Sequence, residues 1–315
     1  MATVCVTGAG GYVGQLLVRA LVADGHAVRA LVRRAGVAWP SGVVEVVGDL
    51  VVDADAAGRA VEGADAVVHL AGPSELLVRS EPDRFLRDTV VCAERVGAAA
   101  SAAAARLVYV SSVHVYGDAL RSGAVITEDT PLEPSGVYAQ SRQACEEIFT
   151  AQCDEAVVLR QTNGIGAPAS VEVHCWHLLT NELCRSGAVS GRLVLQSPGL
   201  QWRDFIPLVD AVAVHRAAAC GDELASGVWN VGSGRSITVR AMAELIAESF
   251  ERVGADRPVL EVPAVVGSGV ATRGEAYRVD VSRLAKTGLG STTSLEDALD
   301  GIVRFCLDRV DELRP

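Results

Sequence analysis

Residues 7–14 read Thr-Gly-Ala-Gly-Gly-Tyr-Val-Gly, between the apolar run ATVCV (2–6) and GQLLVRALVADG (14–25), whose apolar residues recur at helical spacing. A strand that ends in a glycine-rich turn and runs into a helix is the local geometry of a dinucleotide phosphate loop. Gly8 permits the tight turn, Gly11 lets backbone approach a pyrophosphate seated on the helix N-terminus, and Gly14 lets helix and strand pack closely. Tyr12 and Val13 stand between those glycines and join them as candidate cofactor-binding residues. The pattern alone is common. Its position between a first strand and a first helix gives it weight.

Outward from this stretch, short apolar runs alternate with segments of helical spacing. Strands are expected at HAVRALV (26–32), GVVEVVGDL (42–50), DAVVHLAG (65–72), RLVYVSSVHVYG (106–117, leading into a loop) and AVVLRQTNGIG (156–166). Helices are expected at 55–64, 83–105 and 137–153. The alternation predicts an α/β fold, a Rossmann-type doubly wound parallel sheet that holds ligands at its carboxyl edge. After residue 166 the pattern loosens, with helices expected at HLLTNELCRSG (177–187), 238–253 and 294–313. We expect a cofactor-binding domain over 1–166, rejoined by segments at about 203–232, and a smaller C-terminal substrate lobe, mainly 167–315.

Composition narrows the function. The formal net charge of -11 argues against nucleic acid, whose phosphates need concentrated positive charge. No apolar run is long enough to span a bilayer, and the N-terminus enters a strand directly, without a signal-peptide pattern. The eight Cys show no CxxC pair and no metal-ligand spacing, so we expect reduced thiols, no metal and a cytoplasmic location. Lys286 is the single Lys among 28 Lys and Arg residues.

The second strand ends in Val32, Arg33 and Arg34, where a carboxylate would bind the adenosine ribose hydroxyls of NAD. Arg33 instead suits a 2′-phosphate, with Arg34 beside it, and favours NADP(H). The alternative is a solvated basic turn. Gly-Asp-Leu (48–50) offers Asp49 to an adenine amino group, with Leu50 beside it. His-Leu-Ala-Gly (69–72) brings Leu70, Ala71 and Gly72 against the cofactor.

YAQSR (138–142) places Tyr138 and Arg142 on one helix face. A phenol is a poor acid–base catalyst at neutral pH until a nearby cation favours its phenolate. The alternative is an amphipathic helix in a catalytically inactive protein.

The ordered set TGAGGYVG, GDL, HLAG, VYVSSVHVYG, YAQSR, LRQTNGIGAP, RDFIPLVDAV and WNVGSG resembles the extended short-chain dehydrogenases/reductases of the nucleotide-sugar epimerase, dehydratase and ketoreductase group. The resemblance covers nearly the whole chain. It implies that Ser112, four residues before Tyr116, holds the reacting oxygen. It implies that Tyr138 is the catalytic Tyr, with Arg142 where the family carries Lys to support the Tyr and the nicotinamide ribose. The family's 4,6-dehydratases follow the Ser or Thr with an acidic pair, and its decarboxylases have a Glu nearby. Here Val113 and His114 follow, which disfavours both classes. His114 is a candidate substrate donor or a structural residue. Asn163, Arg203 and Arg273 match substrate diphosphate and nucleotide contacts, with Arg278 a competitor for the last role. Thr89 stands where many relatives carry Asn, and Glu75 is a candidate sugar contact or a solvated residue.

The function expected is an NADPH-dependent ketoreductase of a nucleotide-linked keto-deoxyhexose, with a dTDP-4-keto-6-deoxy sugar favoured. The alternatives are an epimerase with retained NAD(P) and a catalytically inactive cofactor-binding protein. The helices at 83–105 and 137–153 are rich in Ala and Val on more than one face, and relatives pair these helices across a dimer. Light scattering at micromolar concentration should therefore give the mass of a homodimer, and a monomer would contradict that expectation.

Overall fold

The structure, a computed structural model, describes residues 1–74, 76–264 and 274–314. Seven strands form its central sheet: β1 (Thr3–Thr7), β2 (Ala27–Val32), β3 (Val43–Val47), β4 (Ala66–His69), β5 (Arg106–Ser112), β6 (Val157–Gln161) and β7 (Gly227–Val231). All neighbours pair in parallel, in the order β7-β6-β5-β4-β1-β2-β3. Strands such as TVCVT and AVVH carry apolar residues at successive positions because both sheet faces are covered. The chain leaves β1 toward β3, then crosses back to β4. The carboxyl ends of β1 and β4 therefore flank the topological switch point, where an open parallel sheet binds its ligand.

Helices cover both faces. On one side lie α1 (Tyr12–Ala23) and α6 (Leu208–Cys220), burying Leu17, Leu21, Val214 and Ala218 against the sheet. On the other lie α2 (Ala56–Val61), α3 (Pro82–Ala102) and α4 (Val137–Gln152), burying Ala60, Val96, Cys145 and Phe149. A third core joins α5 (Leu179–Ser190), α7 (Val239–Arg252) and α8 (Leu295–Asp308) through Leu183, Ile246, Phe250 and Ile302. All eight Cys are unpaired, and all but Cys220 are buried.

Three boundaries differ from the expectation. The fifth strand stops at Ser112, and a tight 3₁₀ segment, Val113–Arg121, takes over. Gly117 bends that segment at φ 56°, and a Cβ there would lie 1.7 Å from the Glu133 carbonyl oxygen. The sixth strand stops at Gln161: Thr162 N–H makes a last bond to the neighbouring strand at the Val231 carbonyl, 2.8 Å, and residues 163–165 pair with 205–207 in a separate sheet. The C-terminal helix breaks at Arg309.

Two buried histidines make folding pH-dependent. His69 is 1% exposed, and burial, with the field of Arg142, pushes its pKa down to about 3. His215 is 0% exposed, bonds Gln161 Oε1 at 2.7 Å, and is pushed down to about 4 by burial. The unfolded chain takes up these protons near pH 6.5 and the native state does not, so stability falls as pH drops through that value. The loss is about 2 kcal/mol per histidine at pH 5. Thermal midpoints measured from pH 7 to 5 should fall, and a flat profile would contradict the neutral buried pair.

Candidate active site

The switch point is built by Thr7. Its Oγ1 bonds His69 Nδ1 at 2.8 Å and accepts the Leu70 and Ala71 N–H groups, each at 3.3 Å. This folds Leu70 and Ala71 against Gly8, where a Cβ would lie 2.8 Å from Ala71 N. Gly8 adopts φ 69° and its carbonyl accepts the Gly11 N–H at 2.9 Å. At Gly14 a Cβ would lie 2.3 Å from the Gly8 oxygen, so the helix meets the strand only through glycine. Gly11 caps α1 without a side-chain hydrogen bond, which leaves first-turn N–H groups for an anion. Tyr12 departs from a simple loop role. Its hydroxyl bonds the Gly166 carbonyl and lies 3.3 Å from Asn181 Oδ1, tying α1 to α5. Val13 packs against the α1 core and, like Tyr12, stays partly exposed.

Arg33 and Arg34 are exposed just beyond β2, and neither makes an ion pair among the described residues. Asp49 Oδ1 accepts the Val51 N–H at 2.8 Å, while Leu50 is buried and its carbonyl accepts Arg95 Nη1 at 2.8 Å. Gly72 has no atom within 4 Å of a Cβ position and borders open space.

Tyr138 and Arg142 do share a face of α4. The guanidinium carbon lies 4.9 Å from the Tyr138 ring centroid, and Nη1 lies 3.4 Å from the Tyr109 hydroxyl. Arg142 Nε is buried and has no hydrogen-bond partner among the described residues. Ser112 ends β5, and its Oγ accepts the His114 N–H at 3.3 Å. The His114 ring stands edge-on to Tyr138 at 6.0 Å. A cavity of about 350 Å³ opens beside them, lined by Tyr138, His114, Arg203, Arg121, Val78 and Leu120 among others. Burial, then Arg203 and Arg121, push the His114 pKa down to about 4, so its ring is neutral at physiological pH.

The glycine cradle and the orphaned Arg142 Nε beside Tyr138 fit a dinucleotide: the first would take its pyrophosphate, the second a hydroxyl of its nicotinamide ribose.

Arg203 is half-buried, its Nη1 donates to the Trp202 carbonyl at 2.9 Å, and it makes no ion pair with Asp204 or Asp210. Those carboxylates are held by Ser233 and by Thr292 and Thr293. Asn163 Nδ2 is engaged with the Asp204 carbonyl at 2.8 Å. Thr89 Oγ1 turns back to the Phe85 carbonyl at 2.7 Å, inside α3. Arg278 is exposed on a short strand beside Val125–Ile126. Arg273 and Glu75 lie outside the described residues.

Sequence reasoning missed a buried polar network under the site. Arg160 and Glu146 form an ion pair at 2.7 Å with side chains 6% and 7% exposed. Ser111 donates to Glu146, Arg160 Nη1 donates to Tyr116 at 3.1 Å, and Tyr116 donates to Asn230 Oδ1 at 2.7 Å. The adjacent Glu146 and Glu147 looked alike in sequence; only the helix phase, which puts Glu146 with Tyr138-face neighbours inward, could have separated them. Arg121 was missed as well, because nothing but its place in the fold marks it.

Residues 4–232 match the family described as the NAD dependent epimerase/dehydratase family, and the chain belongs to that family. The resemblance read from the ordered motifs is borne out. The chain is 33% identical over 293 residues to a Kitasatospora kifunensis protein named dTDP-6-deoxy-L-talose 4-dehydrogenase (NAD(P)(+)), covering 90% of this chain and 89% of that one. Among solved structures it resembles the NAD-dependent NDP-hexosamine 5,6-dehydratase TunA of tunicamycin biosynthesis, with TM-score 0.81, 22% identity and 98% and 99% of the two chains covered. It also resembles RMD from Pseudomonas aeruginosa, solved with NADPH, with TM-score 0.75, 23% identity and coverage of 98% and 100%.

Proposed function

We propose that the protein is an NADPH-dependent ketoreductase of a nucleotide-linked keto-deoxyhexose, with a dTDP-4-keto-6-deoxy sugar favoured. The observation that carries the reading is Tyr138, with Arg142 over its ring, facing a cavity that also holds His114 and Arg203. The name of the Kitasatospora relative supports the same chemistry in the oxidative direction, at carbon 4 of a dTDP-6-deoxy sugar. The absence of a carboxylate at Val113 or His114 counts against elimination.

The nicotinamide, when bound, supplies hydride to the carbonyl carbon. Tyr138 Oη gives the proton to the carbonyl oxygen, and Ser112 Oγ holds that oxygen by a hydrogen bond. Arg142 places positive charge beside the phenol, stabilises the charge left on it, and directs Nε toward a ribose hydroxyl. His114, neutral, serves as hydrogen-bond partner for a sugar hydroxyl. Asn163 and Arg203 hold the diphosphate arm, with Arg273 assigned to the same task. Gly8, Gly11 and Gly14 seat the cofactor pyrophosphate. Homodimer formation through α3 and α4 belongs to the same reading.

Variants at three residues test it. Tyr138→Phe should lower turnover of a keto-sugar nucleotide by roughly a hundredfold to ten-thousandfold while keeping cofactor affinity. Arg142→Ala should lose most turnover and weaken cofactor binding, whereas Arg142→Lys should stay active. An Arg142→Ala variant as active as the unmodified protein would make the residue a bystander. An inert unmodified protein with an active Arg142→Lys variant would favour the inactive reading, and stoichiometric tightly held NAD(H) on purification the epimerase reading. For the cofactor, Arg33→Ala should weaken NADPH, but not NADH, by about 1–3 kcal/mol. Equal affinity of the unmodified protein for both cofactors would end the NADP assignment.

A further inference from the structure

We propose that Arg121 is a substrate contact: with Arg203 it forms a two-arginine clamp for the diphosphate of the substrate at the cavity beside Tyr138. The inference rests on the reading that the substrate is nucleotide-linked, and adds a residue that no sequence motif marks.

Both arginines line the cavity that carries Tyr138 and His114. Neither has a strong carboxylate partner among the described residues. Arg121 Nη1 lies 3.8 Å from Asp118 Oδ1, with the two side chains 67% and 77% exposed, and such exposed pairs contribute little. Among the described residues, the Arg203 side chain bonds only a backbone carbonyl. In a chain of net charge -11, two guanidiniums left largely uncompensated at one cavity focus a local positive potential, and the negative charge that completes it is the ligand's. The potential is felt at His114, which both arginines push toward its neutral form after burial has done so. The ring between them thus adds no charge, and the cavity's positive charge is guanidinium alone.

The backbone under Arg121 is fixed while its side chain is not. The Arg121 carbonyl accepts the Glu275 N–H at 2.9 Å, and Ser122 bridges Glu275. Gly274 lies so close that a Cβ there would sit 3.4 Å from Arg121 Cβ. The kink at Gly117 sets the direction of the whole segment. A fixed base with an exposed, forked head suits bidentate capture of phosphate oxygens. Two forks on one cavity favour a diphosphate over an uncharged carbonyl compound, so Arg121 acts as a selector of substrate class.

The test is calorimetric titration of the full chain with dTDP and with UDP, in the presence of NADP+. Arg121→Ala should raise the Kd for the nucleotide about tenfold or more, with a shallower salt dependence, and Arg121→Lys should recover part of the loss. NADPH affinity and the thermal midpoint should stay unchanged, because the side chain is exposed and outside the cofactor edge. If Arg121→Ala binds both nucleotides like the unmodified protein while Arg203→Ala loses them, Arg121 has no such role and the nucleotide-sugar reading stands. If Arg121→Ala weakens NADPH as much as the nucleotides, the residue acts on the fold and the clamp is rejected. If the unmodified protein binds neither nucleotide, the nucleotide-sugar reading fails and the clamp fails with it.

Discussion

The buried pair of Arg160 and Glu146 is the interaction on which the carboxyl edge depends. It joins the end of β6 to α4 at 2.7 Å, in a place where neither charge reaches water. Two isolated ions would be costly there, and the pair persists because its remaining hydrogen-bonding capacity is used. Arg160 Nε meets both Glu146 oxygens, at 3.2 and 3.1 Å, and Nη1 reaches the Tyr116 hydroxyl and the Glu128 carbonyl. Tyr116 passes the network to Asn230 on β7, whose N–H donates to Glu128 Oε1 at 3.0 Å. Three strand ends and the Tyr138 helix are thereby held in one frame. Removing one charge would leave the other buried and uncompensated, a loss of about 3–5 kcal/mol.

The cofactor edge obeys a different constraint, that of space. Thr7 draws two backbone N–H groups toward the loop, and Gly8 and Gly14 leave no volume for a side chain. On the proposed reading, a pyrophosphate there would be met by aligned backbone N–H groups. Around Tyr138 the charges are guanidiniums, with Arg142 over its ring and Arg203 and Arg121 on the cavity wall.

Much of this was legible in sequence because it is local. The glycine turn, the strand–helix alternation and the i, i+4 pairing of Tyr138 with Arg142 depend on residues a few positions apart. What was not legible is made by distant segments. Asn230 and Tyr116 meet across 114 positions and Tyr12 and Gly166 across 154, and neither partner signals the other. Strand ends at Ser112 and Gln161 were overrun for the same reason. Apolar residues continue past Ser112 as Val113 and Val115, and past Gln161 the chain changes sheet by pairing with the distant residues 205–207.

Arg142 shows how a substitution that breaks a family pattern can be read physically. A guanidinium is planar and larger than an ammonium, and its five donors must be met or exposed. Here the guanidinium carbon lies 4.9 Å from the Tyr138 ring centroid, within cation–π range, and Nη1 reaches Tyr109, whose own ring is fixed between His69 and Phe149. Nε is buried without a partner among the described residues, and an unmet buried donor costs about 1–3 kcal/mol. A residue retained only for packing could shed that cost by becoming apolar. On the proposed reading the cost is removed when a ribose hydroxyl arrives, so the orphan donor contributes to cofactor affinity rather than to folding. The chain has one Lys among 28 Lys and Arg residues, which makes Arg the available cation. On the proposed reading, the contact with Tyr138 lets that cation stand where the family carries an ammonium.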